Sequence, residues 1–333
     1  MTKITPVPGT GGSRYVPYEE RTGNESIVYF TRDLTAEGLE RIYKKVSGAL
    51  TGRVAVKLHT GEPEGPNIIP RPWVKNLLEK EIPEGTIVET NTYYAGDRYT
   101  TEQHRETLKV NGWTFSTVDI MDENGTELYP VEGGKWFTEM SVGANLSNYD
   151  SLLALTHFKG HTMGGFGGSN KNLGIGCADG RIGKKWIHTA EGSSNMWSIA
   201  EEELMERITE STKATVDHFG KKIAYINVLR NISVSCDCEG VAAEPVVTPN
   251  IGIVASLDIL AADQACVDLI YALNADDRKA MVERMETRHG LRQLSYMKEL
   301  GMGNDRYILI DLDNDEVRIQ PKDAVKDVVP FTE

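Results

Sequence analysis

The sequence predicts an α/β protein: a mainly parallel sheet covered by helices, in a three-layer Rossmann-like architecture. Three observations predict it. Short β-branched runs alternate with helical patterns, and that order gives parallel strands joined by crossover helices. Leu152 to His157 is a brief apolar run of the kind a buried strand needs. Apolar residues make up 40% and charged residues 26%, near the globular average, so 333 residues can fill a sizeable core.

Residues 1–25, rich in Gly, Pro, Thr and charge, read as an N-terminal arm. Order begins at Ile27 to Phe30. Thr35 caps a helix that runs to about Leu50, with Gly52 as its stop. Arg53 to His59 is a strand, and Gly61 to Pro70 a loop. Pro72, at a first helical position, opens a helix to about Glu81. Thr86 to Thr90 is a strand, Thr100 to Val110 a helix, and Phe115 to Ile120 a strand. Beyond the buried strand at 152–157, Gly160 to Gly183 holds too many glycines for a regular element. A helix from about Met196 to His218 follows, then strands at Lys222 to Val228 and Ile251 to Ala255. Helices over Ala261–Asn274 and Asp276–Glu299 precede a hairpin of Tyr307 to Leu312 with Glu316 to Ile319. Residues 26–150 form one α/β domain, and 151–333 a second or its continuation.

Charge narrows the function. There are 36 basic and 49 acidic residues, a net charge of −13, which repels nucleic acid and anionic membranes at long range. No apolar run reaches the roughly 18 residues of a membrane span, and Met1 to Tyr15 lacks the apolar core of a secretion signal, so a cytoplasmic location is expected. Four cysteines are too few for a disulfide scaffold.

Against that acidic background, His157 to Thr189 carries five basic residues and one acid. His157, Lys159, His161 and Lys171 are the candidate catalytic residues: two imidazoles to move a proton, two ammonium groups to hold an anion. Gly167 and Gly168 let backbone N–H groups approach a ligand, with Asn172, Lys184 and His188 beside them. The familiar phosphate signatures fail. Lys171 follows Asn170 rather than Gly, Gly183-Lys184 has no glycine five positions earlier, and Asn170 stands where a dinucleotide fingerprint needs glycine. His157 and His161 are four apart, but the glycines argue against the helix that would align them on a metal.

Two strand ends border the same expected crevice, since ligands of open α/β sheets bind beyond the carboxyl ends of the strands. They bring Lys57 and His59, then Asn91, Tyr93 and Arg98, as candidate binding residues. Cys236-Asp237-Cys238 offers two thiolates to a metal, which is half of a structural ligand set. A metal ion is thus a candidate cofactor, and the residues name no cofactor further.

These segments together resemble the family catalogued as domain of unknown function 362. The matching residues are Lys57 with His59, Asn91-Thr92-Tyr93 to Arg98, His157-Phe158-Lys159-Gly160-His161, Gly167-Gly168 and Lys171-Asn172. Gly176-Cys177, Gly183-Lys184, His188, Tyr225-Ile226-Asn227, Cys236-Asp237-Cys238 and Asp263-Gln264-Ala265 match as well. Asn250 departs from a frequent aspartate, and Leu257-Asp258-Ile259 lacks the family's usual proline. Longer members carry a ferredoxin-type insert after the equivalent of His188. Residues 189–201 hold no cysteine here, so the resemblance implies a member without that insert and with no ferredoxin cluster motif. A more distant similarity to nickel-dependent lactate racemases concerns α/β architecture alone.

The expected function is an enzyme, redox-linked or acid–base, acting on an anionic small molecule. The alternative is a metal- or iron–sulfur-related binding protein, or a subunit of a redox assembly, without turnover of its own. The expected partner is a small anion rather than nucleic acid or membrane, with a homo-oligomer or redox partner left open.

Overall fold

Strands form where β-branched and aliphatic residues concentrate, and the chain between them folds back as helices. The computed structural model describes residues 13–199 and 201–330. β1 (Ser26–Thr31), β2 (Val54–Lys57), β3 (Gly85–Glu89) and β4 (Val118–Ile120) alternate with α1 (Ala36–Val46), α2 (Arg71–Glu81) and α3 (Thr101–Val110). A hairpin of β5 (Thr126–Pro130) and β6 (Glu139–Gly143) leads to β7 (Ser151–His157). A small hairpin, β8 (Lys159–His161) with β9 (Gly165–Gly167), precedes α4 (Ser169–Gly176), α5 (Gly183–His188) and α6 (Glu201–Phe219). Then come β10 (Ile223–Leu229), β11 (Gly252–Ser256), α7 (Ile259–Ala272), α8 (Ala275–Thr287) and α9 (Arg292–Glu299). β12 (Tyr307–Asp311), β13 (Val317–Ile319) and α10 (Pro321–Ala324) close the fold.

Nine strands make one sheet in the order β13-β12-β1-β11-β10-β7-β2-β3-β4. β11 and β13 run against the rest, so the sheet is mainly parallel. It takes strands from residues 26–150 and 151–333 alike. Strand alternation supplies two cores. Val54, Val56, Leu153, Leu155, Ile226 and Val228 face Leu39, Ile42 and Val46 of α1 and Leu77 of α2. Ala55, Leu152, Ala154, Ile223 and Tyr225 face Leu173 of α4, Leu204 and Ile208 of α6, and Leu260 of α7. Helices thus cover both faces, the expected three layers. No helix among the described residues is long and apolar enough to cross a membrane.

Several boundaries differ from the sequence expectation. Pro72 is the second helical residue, not the first, after Arg71. Residues 160–183 are largely regular: a hairpin, α4 and the start of α5. The glycines there serve close approach. A Cβ on Gly174 would lie 2.4 Å from the Ile208 carbonyl oxygen of α6, and one on Gly176 would lie 2.1 Å from Lys57 Cε. The helix expected from Met196 starts at Glu201. The one expected over 276–299 is two, broken at His289-Gly290, where His289 takes a φ of 53°. Of the arm, residues 1–12 lie outside the described residues. The rest is anchored by Arg21, which donates to both carboxylate oxygens of buried Asp268 at 2.6 Å.

Candidate functional site

β2 and β7 are parallel neighbours from which the chain departs in opposite directions, β2 toward β3 and β4, β7 toward β10. Such a switch point opens a crevice at the carboxyl ends of the strands. A cavity of about 520 Å³ occupies it. Lys57, His59, Tyr93, Arg98, Lys159, His161, Gly167, Gly168, Lys171, Asn172, Lys184, His188 and Cys238 all line it. Of the remaining expected residues, Cys236 is buried just behind the wall, and Asn91 contributes its backbone. His157 lies outside the lining. Its Nε2 donates to the Arg230 carbonyl at 2.6 Å, and its Nδ1 faces the Asp237 carboxylate at 2.9 Å.

The cations fall into two groups. Lys57 Nζ meets Glu89 Oε2 at 2.8 Å and also donates to the Leu58 carbonyl and Asn172 Oδ1. Arg98 grips Glu62 at 2.8 Å, and Lys159 meets Asp237 at 3.0 Å. Lys57, His59 and Arg98 overcome burial to hold the Glu89 carboxyl well below its usual range. Lys57, Arg98 and Lys159 are therefore occupied. Lys171 and Lys184 hold no carboxylate among the described residues. Lys184 donates to Thr90 Oγ1 at 2.7 Å and to the Asn91 carbonyl, and burial pushes it down to about 8. Lys171 Nζ has the Cys236 sulfur at 3.8 Å.

The expected role of the glycine turn is partly taken. The N–H groups of Ser169 and Asn170, at the start of α4, donate to Asp263 at 2.7 and 2.9 Å. The protein's own carboxylate thus fills the helix terminus that an outside anion would have used.

The imidazoles differ in what they present. His161 Nδ1 accepts from Gly164 N at 2.7 Å, and His59 Nδ1 accepts from Gly61 N at 2.9 Å. A neutral ring that accepts at one nitrogen carries its proton on the other, so both rings offer an Nε2–H. His188 is the reverse. Its Nδ1 donates to the Lys184 carbonyl at 2.8 Å, which leaves a lone pair on Nε2. Burial holds His188 down at about 4, with the charges of Lys171 and Lys184 also acting on it.

Sequence reasoning missed the acids Glu62, Glu89 and Asp237, and an apolar half of the cleft. Trp197 packs edge-on to His188 at 5.1 Å and to Tyr93 at 6.1 Å, while Met163, Ile175, Leu204 and Ile208 line the opposing surface. Asp237 sits inside the C-x-C motif, and Glu89 heads the Asn91 stretch. Both were therefore in view, but without a partner to mark them. The donor atoms of His161, Cys236 and Cys238 lie within 4.8 Å of one another, a spacing that suits a metal ion.

The family model described as domain of unknown function (DUF362) matches residues 54–268, about two thirds of the chain. The chain belongs to the DUF362 family. The match takes in every residue that lines the cleft. No curated protein sequence matches the chain. Among solved structures, the lactate racemase apoprotein from Thermoanaerobacterium thermosaccharolyticum is similar at 12% identity and a TM-score of 0.40, over 86% of this chain and 83% of that one. A protein from Thermotoga maritima is similar at 12% identity and a TM-score of 0.36, over 58% of this chain and 50% of that one. Neither likeness carries a function to the DUF362 chain.

Proposed function

We propose that the cleft is the active site of an enzyme acting on a small organic anion with an apolar body. The observation that carries this reading is the pair of buried ammonium groups, Lys171 and Lys184, that line one cavity without a carboxylate to answer them among the described residues. Burying a charge unpaired costs several kcal/mol, and an incoming anion offsets that cost. Trp197, Tyr93, Ile175, Leu204 and Ile208 give the rest of the ligand an apolar surface. Proton abstraction falls to His188, whose Nε2 carries a lone pair, and His161 offers its Nε2–H as a hydrogen bond to charge that develops on the ligand. His157 from behind the wall and Lys159 within it hold Asp237 in place.

The test is calorimetric titration with benzoate, inorganic phosphate and benzyl alcohol. Benzoate binds, phosphate binds more weakly for want of apolar contact, and benzyl alcohol does not bind. Lys171→Met and Lys184→Met each weaken benzoate by about tenfold or more, the worth of a charge-assisted hydrogen bond. Equal affinity for benzyl alcohol, or unchanged affinity in both variants, overturns the reading. The spacing of His161, Cys236 and Cys238 favours a second reading, metal binding without turnover; the ring tautomers count against it.

A further inference from the structure

We propose that Cys236 and Cys238 are a redox-active thiol pair in the cleft wall, with Cys236 as a resident thiolate and Cys238 as the thiol open to a reactant. The inference shares Lys171 with the anion reading, since a Cys236 thiolate would answer that ammonium from 3.8 Å; it leaves Lys184 as the cation an incoming anion meets, so benzoate titration of Lys184→Met and the thiol chemistry fail separately.

The Cys236 sulfur is surrounded by donors. The backbone N–H of Cys238 points at it from 3.4 Å and the Lys171 ammonium from 3.8 Å. A ring nitrogen of His161 lies within 4.8 Å of it, and His161 carries its proton on Nε2 because Nδ1 is committed to backbone N–H groups. A thiol has a proton of its own to place and only weak acceptor capacity, whereas a thiolate satisfies the backbone N–H and the ammonium together. The Cys238 thiol, then the Lys171 and His161 groups, hold Cys236 well below the usual thiol range despite its burial. The same tautomers speak against a metal. His161 would have to present a lone pair at Nε2, which moves its proton to Nδ1 and sets it against the N–H groups of Met163 and Gly164.

The two remaining cysteines are a built-in contrast. Cys177 and Cys266 sit in the core, and burial pushes the Cys177 thiol up to about 11. Only Cys238 among the four lines the cleft.

The reactant class is a low-molecular-weight disulfide. As the Cys238 sulfur attacks one sulfur of that disulfide, its proton passes to the Cys236 thiolate, the disulfide bond breaks, and one thiolate leaves. Cys236 then gives its proton to that thiolate and attacks the Cys238 sulfur, expelling the second thiolate. The two cysteines are oxidised to a disulfide, and the small disulfide is reduced to one thiol, which has gained the Cys238 proton, and one thiolate, which carries away the negative charge that Cys236 held.

The experiment uses the full chain purified without oxygen, with metal content measured first. Exposure to oxidised glutathione, alkylation and peptide mass spectrometry then follow the cysteines. The expected result is less than one metal per ten chains, and a Cys236–Cys238 disulfide formed while Cys177 and Cys266 stay reduced. Cys236→Ser should trap glutathione on Cys238, and His161→Phe should slow the reaction by about an order of magnitude. A stoichiometric metal that disappears in Cys236→Ser overturns the proposal. So does a wild-type pair that stays reduced in excess oxidised glutathione while its melting curve shows a folded protein.

Discussion

The ammonium of Lys57 and the carboxylate of Glu89 meet at 2.8 Å where β2 and β3 end side by side, both out of contact with water. Glu89 also accepts from the Thr60 backbone N–H at 2.9 Å, so neither charge is left with an empty direction. That pair is thus electrically closed, and the cleft's capacity to bind an anion rests with Lys171 and Lys184.

Removing one member of that pair strands the other. Lys57→Met should cost about 3–5 kcal/mol of stability, because Glu89 is left buried and charged. Adding Glu89→Gln should recover a large part of the loss. Urea denaturation of the three variants measures the coupling. Additive losses would show that the two groups act separately.

Benzoate affinity should fall as pH rises. The Lys184 ammonium, pushed down to about 8 by burial, is charged below that pH and neutral above it. Benzoate stays ionised across the range, so its affinity is full at pH 7 and declines through pH 8 to 9. Lys184→Met should remove this dependence along with most of the affinity. A wild-type profile flat between pH 7 and 9 would contradict the assignment.

Acid should destabilise the fold in a defined window. His104 is fully buried, and burial, then the charge of Arg98, pushes it down to about 3; its Nε2 has no partner among the described residues. The unfolded chain protonates its histidines near pH 6.5, so stability is complete above that value. It is lost as pH falls from 6.5 toward the folded-state values of His104 and His188. Each group contributes about 3 kcal/mol or more to the loss, since every tenfold difference in proton affinity between the folded and unfolded chain is worth roughly 1.4 kcal/mol. His104→Gln should flatten the lower half of a chemical-denaturation profile taken from pH 7 to 4.

Gly174→Ala tests the close packing of α4 on α6. The added methyl meets a backbone carbonyl, that of Ile208, at 2.4 Å, and a backbone cannot rotate out of the way as a side chain can. A loss of about 1–3 kcal/mol is expected. An unchanged melting temperature would mean the two helices can separate freely.

Much of this was legible in the sequence because it rests on local pattern. β-branched runs mark β2 and β10, an apolar run marks β7, and Lys57 and His157 fall at strand ends as expected. Of the cation-rich stretch, Lys159, Lys171 and Lys184 line the cavity while Arg181 and Lys185 do not, and Cys238 lines it from the C-x-C motif. What was hidden depends on contacts across the fold. Glu89 answers Lys57 from 32 residues away, and Asp237 answers His157 from 80, distances over which no sequence period reports. The glycines of 160–183 misled for a related reason: flexibility and close packing call for the same residue, and only the neighbour tells them apart. The break at His289-Gly290 had a local sign in its glycine, but the helical pattern on both sides concealed it.

The most direct measurement is a crystal structure of the protein grown with benzoate at pH 7. The carboxylate is expected within about 3 Å of the Lys171 and Lys184 ammonium groups, the range of a charge-assisted hydrogen bond, with the ring against Trp197. A carboxylate seated on Lys57 or Arg98 with Glu89 or Glu62 displaced, or a cleft that stays empty at saturating benzoate, would contradict it.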